Sequence, residues 1–432
     1  MSRIQDIAAA LAGYDPQALD VDGVWTFLRE LVAPAVVQET QDVALFDALG
    51  RVLASDVISP FDVPPHDNSA MDGFAFDGAR LDGVSGDLTL RVIGTALAGA
   101  AWRGTVAAGE ALRIMTGAVM PAGLDTVVPQ EFCHVADGTV RFPASALRRG
   151  DNRRFAGEDL QAGTAALHAG TRVTPAALGL LASLGLPRVT VRRRLRVAYF
   201  STGDEILSLG DTPREGAVYD SNRYTVFGLL TRLGCEVIDL GMVRDDPTAL
   251  EATLQRAARE ADAIVTSGGV SVGEADHTRA VMQRLGDMAF WRIAMRPGRP
   301  MAVGLIGGNP SHSAVLFGLP GNPVAVMVTF LAFVRPALLQ MMGCNIADAA
   351  PPPLLRARSA GAIRKKPGRT EYQRGFVQQV PGALPEVRIA GNQGSGVLSS
   401  MVAANGLVVL HHGQHSVAAG DEVDVMMFDG CI

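Results

Sequence analysis

The amino-acid sequence predicts a multidomain α/β plus β fold: a doubly wound parallel-sheet domain, an N-terminal helical and linker part with an inserted β lobe, and a small C-terminal β domain. Three observations predict it. From Leu195 onward, apolar strand-like runs alternate with helix-length stretches. Residues 61–164 instead break into short β-like runs separated by glycine. Beyond the proline-rich APPPLL at 350–355, short alternating runs return. A chain of 432 residues exceeds one ordinary core, so about three or four domains are expected. The expected boundaries are 1–60 with 165–194 for the N-terminal helical/linker domain, 61–164 for the β lobe, 195–345 for the α/β domain and 350–432 for the C-terminal β domain.

Taken in order, Val24–Leu31 and Val43–Leu53 carry the apolar spacing of amphipathic helices. After Ser59-Pro60, the turn-rich PFDVPPHDNSAMDGFAF leads into LTLRVIG, ALRIM, DTVVPQ and TVRFP, an all-β pattern. Thr174–Leu184 reads as a short helix with Pro175 in its first turn. LRVAYF then opens the α/β part as a buried strand. It is followed by a helix over Ser221–Leu233 ended by Gly234, the strand EVIDLGMV, a helix over Thr248–Ala261, the strand DAIVTSGG and a helix over Ala280–Leu285. MAVGLI and AVLFGLPG are later strands, and Val324–Met341 is a long apolar helix. Strands and helices alternating at this spacing predict a parallel sheet with helices on both faces. EYQRGFVQQV and GLVVLHHG are the clearest strands of the C-terminal domain.

Composition narrows the function. Hydrophobic residues make up 48% and charged residues 19%, a globular balance. The net charge of −6 argues against broad nucleic-acid binding, which needs a basic surface to displace counterions. The four cysteines, at 133, 235, 344 and 431, form no C-x-x-C pair, so neither a zinc ribbon nor a dithiol motif is supported. The N-terminus meets Asp6 early and has no signal-peptide core. Apolar runs such as Val324–Val334 fall short of the roughly 20 residues that span a bilayer. The expectation is a cytoplasmic protein without membrane or nucleic-acid partners.

The chemistry concentrates in loops at strand ends, where open parallel sheets bind ligands. Ser201-Thr202-Gly203-Asp204-Glu205 follows the first strand. Thr266-Ser267-Gly268-Gly269-Val270-Ser271 and onward to Asp276 follows the third, and Gly318-Leu319-Pro320-Gly321-Asn322-Pro323 precedes the long helix. Hydroxyls and bare backbone N–H groups there suit an anion. Glu205, Asp245, Asp246 and Asp276 could hold Mg²⁺, which takes a few carboxylates plus substrate oxygens. Any one loop alone reads as a turn or helix cap; three converging on one edge point to a phosphate-and-metal site. Gly268 and Gly273 have P-loop spacing, but Glu274 stands where the lysine must be. Only one glycine follows the first strand, so the dinucleotide fingerprint is missing as well.

Arg292, Arg296 and Arg299, among prolines and a glycine, form a planar-fork set suited to tetrahedral oxyanions or, equally, a solvated charge strip. In the β lobe, the polar loops around Asp67, Thr116 and Arg154 are explicable by turn chemistry alone. His411, His412 and His415 match no common zinc spacing.

PPHDNSAMDGFA, MTGA, NRRFAGEDL, STGDEI, YDSN, RDD, TSGGVSVGEADH, MRPGRPMA, LPGNPVAV and GNQGSGVLSSMVAANGL occur in this order. Together they resemble the molybdopterin molybdenumtransferases, bacterial counterparts of the gephyrin E domain, from about residue 20 to the C-terminus. The resemblance implies an elongated four-part subunit, a homodimer and a divalent cation, usually Mg²⁺. It implies that molybdate is inserted into adenylylated molybdopterin as AMP leaves. It further implies functional roles for Asp67, Thr116 and Arg154 in the β lobe and for Glu205, Asp245, Asp276, Arg292 and Arg296 in the α/β domain, with Asp159 and Ser400 as weaker matches. On this basis Glu205, Asp245 and Asp276 hold the metal, and Gly268, Gly269 and Ser271 cradle phosphate. Arg292 and Arg296, with Arg299 beside them, take molybdate, while Asp67 and Thr116 reach in from the partner subunit. Arginine replaces the family's frequent lysine at 292, 296 and 299, and His66 stands where an aromatic residue or serine is common. No adenylylating domain is fused to this chain, which implies a separate molybdopterin adenylyltransferase as partner. The rival readings are an adenylyltransferase of related fold, against which the 190 residues before Leu195 speak, and a non-catalytic scaffold, against which the clustered acids speak.

Overall fold

The computed structural model describes residues 2–269, 276–307 and 313–429. The chain divides into two compact units. The first comprises Met1–Ala54, Gly170–Pro175 and Arg188–Ile432; the second comprises Ser55–Ala169 and Ala176–Pro187.

The first unit opens with helices α1 (Arg3–Ala10) and α2 (Val21–Val32). Ser2 caps α1 through a reciprocal capping box with Gln5, and the Asp20 side chain accepts from Gly23 N to start α2. The α/β part then runs β1 (Arg196–Thr202), α3 (Ser221–Leu233), β2 (Glu236–Val243), α4 (Pro247–Glu260), β3 (Ala263–Ser267), α5 (Asp276–Leu285), β4 (Gly286–Arg292), β5 (Pro300–Ile306), β6 (Ala314–Leu319) and α6 (Pro323–Met341). Asp220 caps α3 at its start, and Gly234, at φ +98°, ends it by donating to the Leu230 and Thr231 carbonyls. Alternate residues of β1 feed two cores. Val197 and Tyr199 join the side packed with α2, α3 and α6, while Ala198 and Phe200 join the side packed with α4 and α5. That two-sided burial is why LRVAYF is apolar at nearly every position.

The sheet order is β2-β1-β3-β6-β5-β4. The first four strands are parallel, as the alternation of strands and helices predicts. The last two depart from a wholly parallel sheet: β5 is antiparallel to β6, and β4 to β5. The reason is connectivity, since β4 joins β5 through the short loop 293–299 with no helix to carry the chain back. Helix α6 is long and apolar enough to cross a bilayer, but 89% of its apolar window is buried in the core of this unit. A π-helical turn at Phe330–Val334 interrupts it.

A second correction concerns Val43–Leu53, which is not a helix. Thr40–Ala44 is a strand antiparallel to Arg188–Arg192, followed by a 3₁₀ turn at Leu45–Ala48 and by Gly50 at φ +73°. Its partner strand lies far along the chain, so the pairing leaves no trace in local periodicity.

The C-terminal part of the first unit contributes five strands to a sheet closed by pairing of Thr370–Gln378 with Gly406–Leu410. Val387, Val408, Val423 and Val425 fill its interior. Met295–Arg296, in the loop after β4, adds to this sheet by pairing with Thr370–Glu371. The second unit is built on a six-stranded sheet containing Gly73–Phe76, Asp87–Ala96, Glu110–Ile114, Thr126–Pro129, His134–Ala136 and Thr139–Pro143. Phe74, Phe76 and Phe142 pack on one face, and Leu112, Ile114 and Val127 on the other.

Candidate active site

In the first unit the strand registers bring the polar loops to one edge. Thr202 lies opposite Val243, Ser201 opposite Ser267, and Ser267 opposite Leu319. On the antiparallel side, Arg292 lies opposite Pro300, at the same edge. Glu205, Asp245, Gly268 and Gly269, separated widely in sequence, therefore leave three neighbouring strand ends, while Arg292 ends the strand at the far side of the same sheet.

Close packing fixes these loops. The Asp245 N–H donates to Asp204 Oδ1 at 3.4 Å, tying the first two loops together. Gly203 adopts φ +143°, and a Cβ there would stand 2.6 Å from Glu205 Oε2, so the Glu205 carboxylate folds over bare backbone. Gly268 adopts φ +88°, and a Cβ there would meet the Thr202 carbonyl oxygen at 2.3 Å. Both positions require glycine. The Gly268 N–H donates to the Leu319 carbonyl, while Asn222 Nδ2 donates to the Gly321 carbonyl at 2.7 Å. Beneath the loops, Tyr199 bridges Ser201 and Ser267 through its hydroxyl, and burial pushes that phenol well above its ordinary pKa.

Four buried polar atoms at this edge have no hydrogen-bond partner among the described residues: Thr202 Oγ1, Thr266 Oγ1, Asp220 Oδ2 and Asn222 Oδ1. Orphaned groups of this kind cost free energy and concentrate where a ligand completes them. Asp220 and Asn222 belong to the YDSN motif but escaped selection, because a helix-capping acid looks the same whether or not its second oxygen is satisfied.

Asp276 opens α5, which follows the third-strand loop, but its side chain is outside the described residues, and so is Ser271. Among the described residues no three histidines, cysteines or carboxylates gather to hold a metal. Glu205 and Asp245 still supply two carboxylates at adjacent strand ends, a donor set suited to Mg²⁺ when substrate oxygens complete its shell.

Arg296 and Arg299 lie in the loop after β4. The Ile293 N–H donates to the Arg299 carbonyl at 2.7 Å, and Arg296 pairs through its backbone with Glu371. Next to it stands a residue the sequence did not single out, Arg374. It is 1% exposed, and it donates to Ser400 Oγ at 3.0 Å and to the carbonyls of Asn392 and Gly394. Burial, reinforced by the charge of Arg296, pulls its pKa down. Ser400 is thus a direct hydrogen-bond partner of Arg374. The available signal was the inward phase of EYQRGF, which places Arg374 on the same strand face as buried Tyr372.

The second unit gathers its own cluster. Asn68–Ser69 pairs with Arg153–Arg154, and the Gly117 N–H donates to the Ser69 carbonyl, which joins the loops carrying Asp67, Thr116 and Arg154. Asp67 accepts from the Ala156 N–H at 2.8 Å and from both Nε and a terminal nitrogen of Arg153. These donors, the Ala156 N–H foremost, hold its carboxyl below the usual range. Thr116 donates from its N–H and its hydroxyl to Asp72 Oδ1, each at 2.7 Å, and holds that carboxyl low as well. Arg154 lies 3.9 Å from Glu158. Arg153 and Asp72 are thus the direct partners of the residues the sequence singled out. Asp159 donates its N–H to the Val63 carbonyl.

Residues 19–185 match the family described as MoeA N-terminal region (domain I and II), residues 198–340 the probable molybdopterin binding domain, and residues 356–428 the MoeA C-terminal region (domain IV). The chain is 40% identical over 392 residues to the molybdopterin molybdenumtransferase of Haemophilus influenzae, covering 90% of this chain and 94% of that one. It is 37% identical to the protein of the same name from Nostoc sp., covering 90% and 89%. The chain belongs to the molybdopterin molybdenumtransferase family. Membership makes it a transferase of molybdenum-cofactor synthesis, the activity expected from the ordered motifs. The fold agrees: the molybdopterin biosynthesis moeA protein of Pyrococcus horikoshii OT3 superposes with a TM-score of 0.76 at 26% identity, covering 95% of this chain and all of that one. Within the family match, the strand-end edge lies in the probable molybdopterin binding domain and Arg374 in the C-terminal region.

Proposed function

We propose that the chain inserts molybdate into adenylylated molybdopterin with release of AMP, and that the carboxyl edge of the α/β sheet is where the phosphoanhydride breaks. The observation that carries this reading is the convergence of Glu205, Asp245 and Gly268 on three adjacent strand ends, with Arg292 farther along the same edge, beside buried oxygens that lack partners among the described residues. The Gly268 and Gly269 backbone offers close approach to a diphosphate, with Ser271 next along the loop. Glu205, Asp245 and Asp276 would hold Mg²⁺, which neutralises charge on a phosphoanhydride when bound. Arg292, Arg296 and Arg299 supply cationic donors for molybdate. Among the described residues no carboxylate pairs with Arg374, so its buried charge adds positive potential beside Arg296 without touching the anion.

The protein acts in the cytoplasm as a homodimer, the arrangement the family resemblance implies, with Asp67, Thr116 and Arg154 contributed by the partner's lobe. The fixed geometry of Asp67 and Thr116, each held by short hydrogen bonds, supports a role in orienting substrate, and the exposed Arg154 side chain stays free to reach an anion. A separate molybdopterin adenylyltransferase supplies the substrate.

The test is to supply adenylylated molybdopterin and Mg²⁺ with and without molybdate and to follow AMP. Molybdate-dependent AMP release supports the reading. Pyrophosphate release from ATP and molybdopterin, with no molybdate dependence, would assign the earlier step instead.

A further inference from the structure

β4 is an edge strand, and it ends at Arg292. Its outer side has no strand partner in the sheet order, yet its backbone is not left bare. The Arg292 N–H donates to the Pro16 carbonyl at 2.8 Å, and two residues on the Ala294 N–H donates to the Leu19 carbonyl at 2.8 Å. Further back along β4, Asp287 Oδ2 accepts from the Ile4 N–H at 3.0 Å. The N-terminal arm, helix α1 and the turns that follow it to residue 19, therefore packs along β4, and its Pro16 and Leu19 carbonyls cover the backbone at the strand's end.

Side chains reinforce the backbone contacts. Trp291 is 3% exposed and donates its indole N–H to Tyr14 Oη at 2.9 Å. Phe27 of α2 stacks on Tyr14 and meets Trp291 edge-on at 4.9 Å. The arm holds its own shape as well. Asp15 accepts from the Gln17 N–H at 2.8 Å and from the Ala18 N–H, a turn that presents the Pro16 carbonyl. Most of this arm precedes residue 19, where the match to the family's N-terminal region begins.

Arg292 is thus clamped at its backbone by the arm, and the loop behind it is clamped on its other side, where the Thr370 N–H donates to the Ala294 carbonyl. We propose that Tyr14 is a positioning residue for oxyanion binding: through Trp291 it fixes the end of β4, and with it the arginine loop 292–299. The inference rests on the proposed reading of that loop as the molybdate site. A guanidinium fork binds a tetrahedral oxyanion well only when its backbone is held, because small misplacements lose hydrogen bonds that strengthen with alignment.

The test compares Arg292→Gln, Tyr14→Ala, Tyr14→Phe and the double variant Tyr14→Ala/Arg292→Gln in the full chain, with KM for molybdate and for adenylylated molybdopterin measured separately. Tyr14→Ala should raise the molybdate KM about fivefold to tenfold while leaving kcat and the KM for the pterin substrate near parental values. Tyr14→Phe keeps the ring stack and removes only the acceptor, so about a twofold rise is expected, and it serves if the alanine variant folds poorly. In the double variant Tyr14→Ala should add little to Arg292→Gln, because both act through one group. Leu254→Ala, in the core packed with α4 on the other face of the α/β sheet, lowers stability away from the loop and should leave the molybdate KM unchanged. If Arg292→Gln itself leaves that KM unchanged, the site reading fails. If Arg292→Gln raises it while neither Tyr14 variant does, or if the two effects simply add, the arm has no positioning role.

Discussion

Asp67 and Asp72 show how single residues are prepared in this protein. Each carboxylate faces one backbone N–H donor together with a side-chain donor, Arg153 for Asp67 and the Thr116 hydroxyl for Asp72, and each is held below its ordinary range. A carboxyl depressed in the fold contributes stability that is complete above its unfolded pKa of about 4 and disappears as pH falls through the lower folded value. The second unit is therefore expected to lose thermal stability steadily below about pH 4. Asp67→Asn removes part of that loss, so melts between pH 3 and 7 should show a shallower acid limb than the parent; parallel curves would discount the Asp67 contacts. Arg374 is the opposite case, a buried cation whose partners are a hydroxyl and carbonyls. Arg374→Gln should weaken molybdate binding by about tenfold, roughly 1.4 kcal/mol, in a calorimetric titration, with Arg374→Lys intermediate because it keeps charge without the fork. Undiminished binding by the glutamine variant would remove Arg374 from the site. Asp67 and Thr116 were singled out through the resemblance their ordered motifs carry, whereas Arg374 was not. One charged residue in an alternating strand gives no local sign of whether its partner is an acid, water or a ligand.

At the scale of elements, the glycine-rich loops are shaped by backbone contact more than by side chains. Gly268→Ala would force a Cβ to within 2.3 Å of the Thr202 carbonyl at a positive φ, a strain on the order of 1–3 kcal/mol. Its melting temperature should fall, and its AMP release should drop at least about tenfold because the loop must move off the strand ends. Parental activity in a stably folded Gly268→Ala would mean that the loop's close approach is dispensable. Helices with strong caps and even periodicity, such as α3 with Asp220 and Gly234, are legible to the residue. Val43–Leu53 is not, since its apolar spacing suits a helix while its backbone pairs with Arg188–Arg192. β4 was missed for a related reason. It follows α5 without a turn signal and mixes Asp287 with Trp291, so only pairing with β5 makes it a strand, and that pairing turns one side of the sheet antiparallel.

At the scale of the whole molecule, the candidate chemistry depends on one edge assembled from segments near residues 203–205, 245, 268–269, 292 and 321. The alternation of strands and helices in the sequence was enough to place the loops at 201–205, 266–276 and 318–323 at strand ends. What it could not supply was the order of the strands, which sets who neighbours whom. The observed order puts β1 beside both β2 and β3, so Glu205 and Asp245 flank each other and Gly268 sits on the other side of Thr202. The most direct measurement is AMP release by Glu205→Gln from adenylylated molybdopterin across a Mg²⁺ titration, with molybdate saturating. Loss of one carboxylate from the edge predicts a rate lower by about a hundredfold at ordinary Mg²⁺ and partial recovery as Mg²⁺ rises, with the melting temperature kept. A parental rate with a parental Mg²⁺ dependence would contradict the assignment of the reaction to this edge.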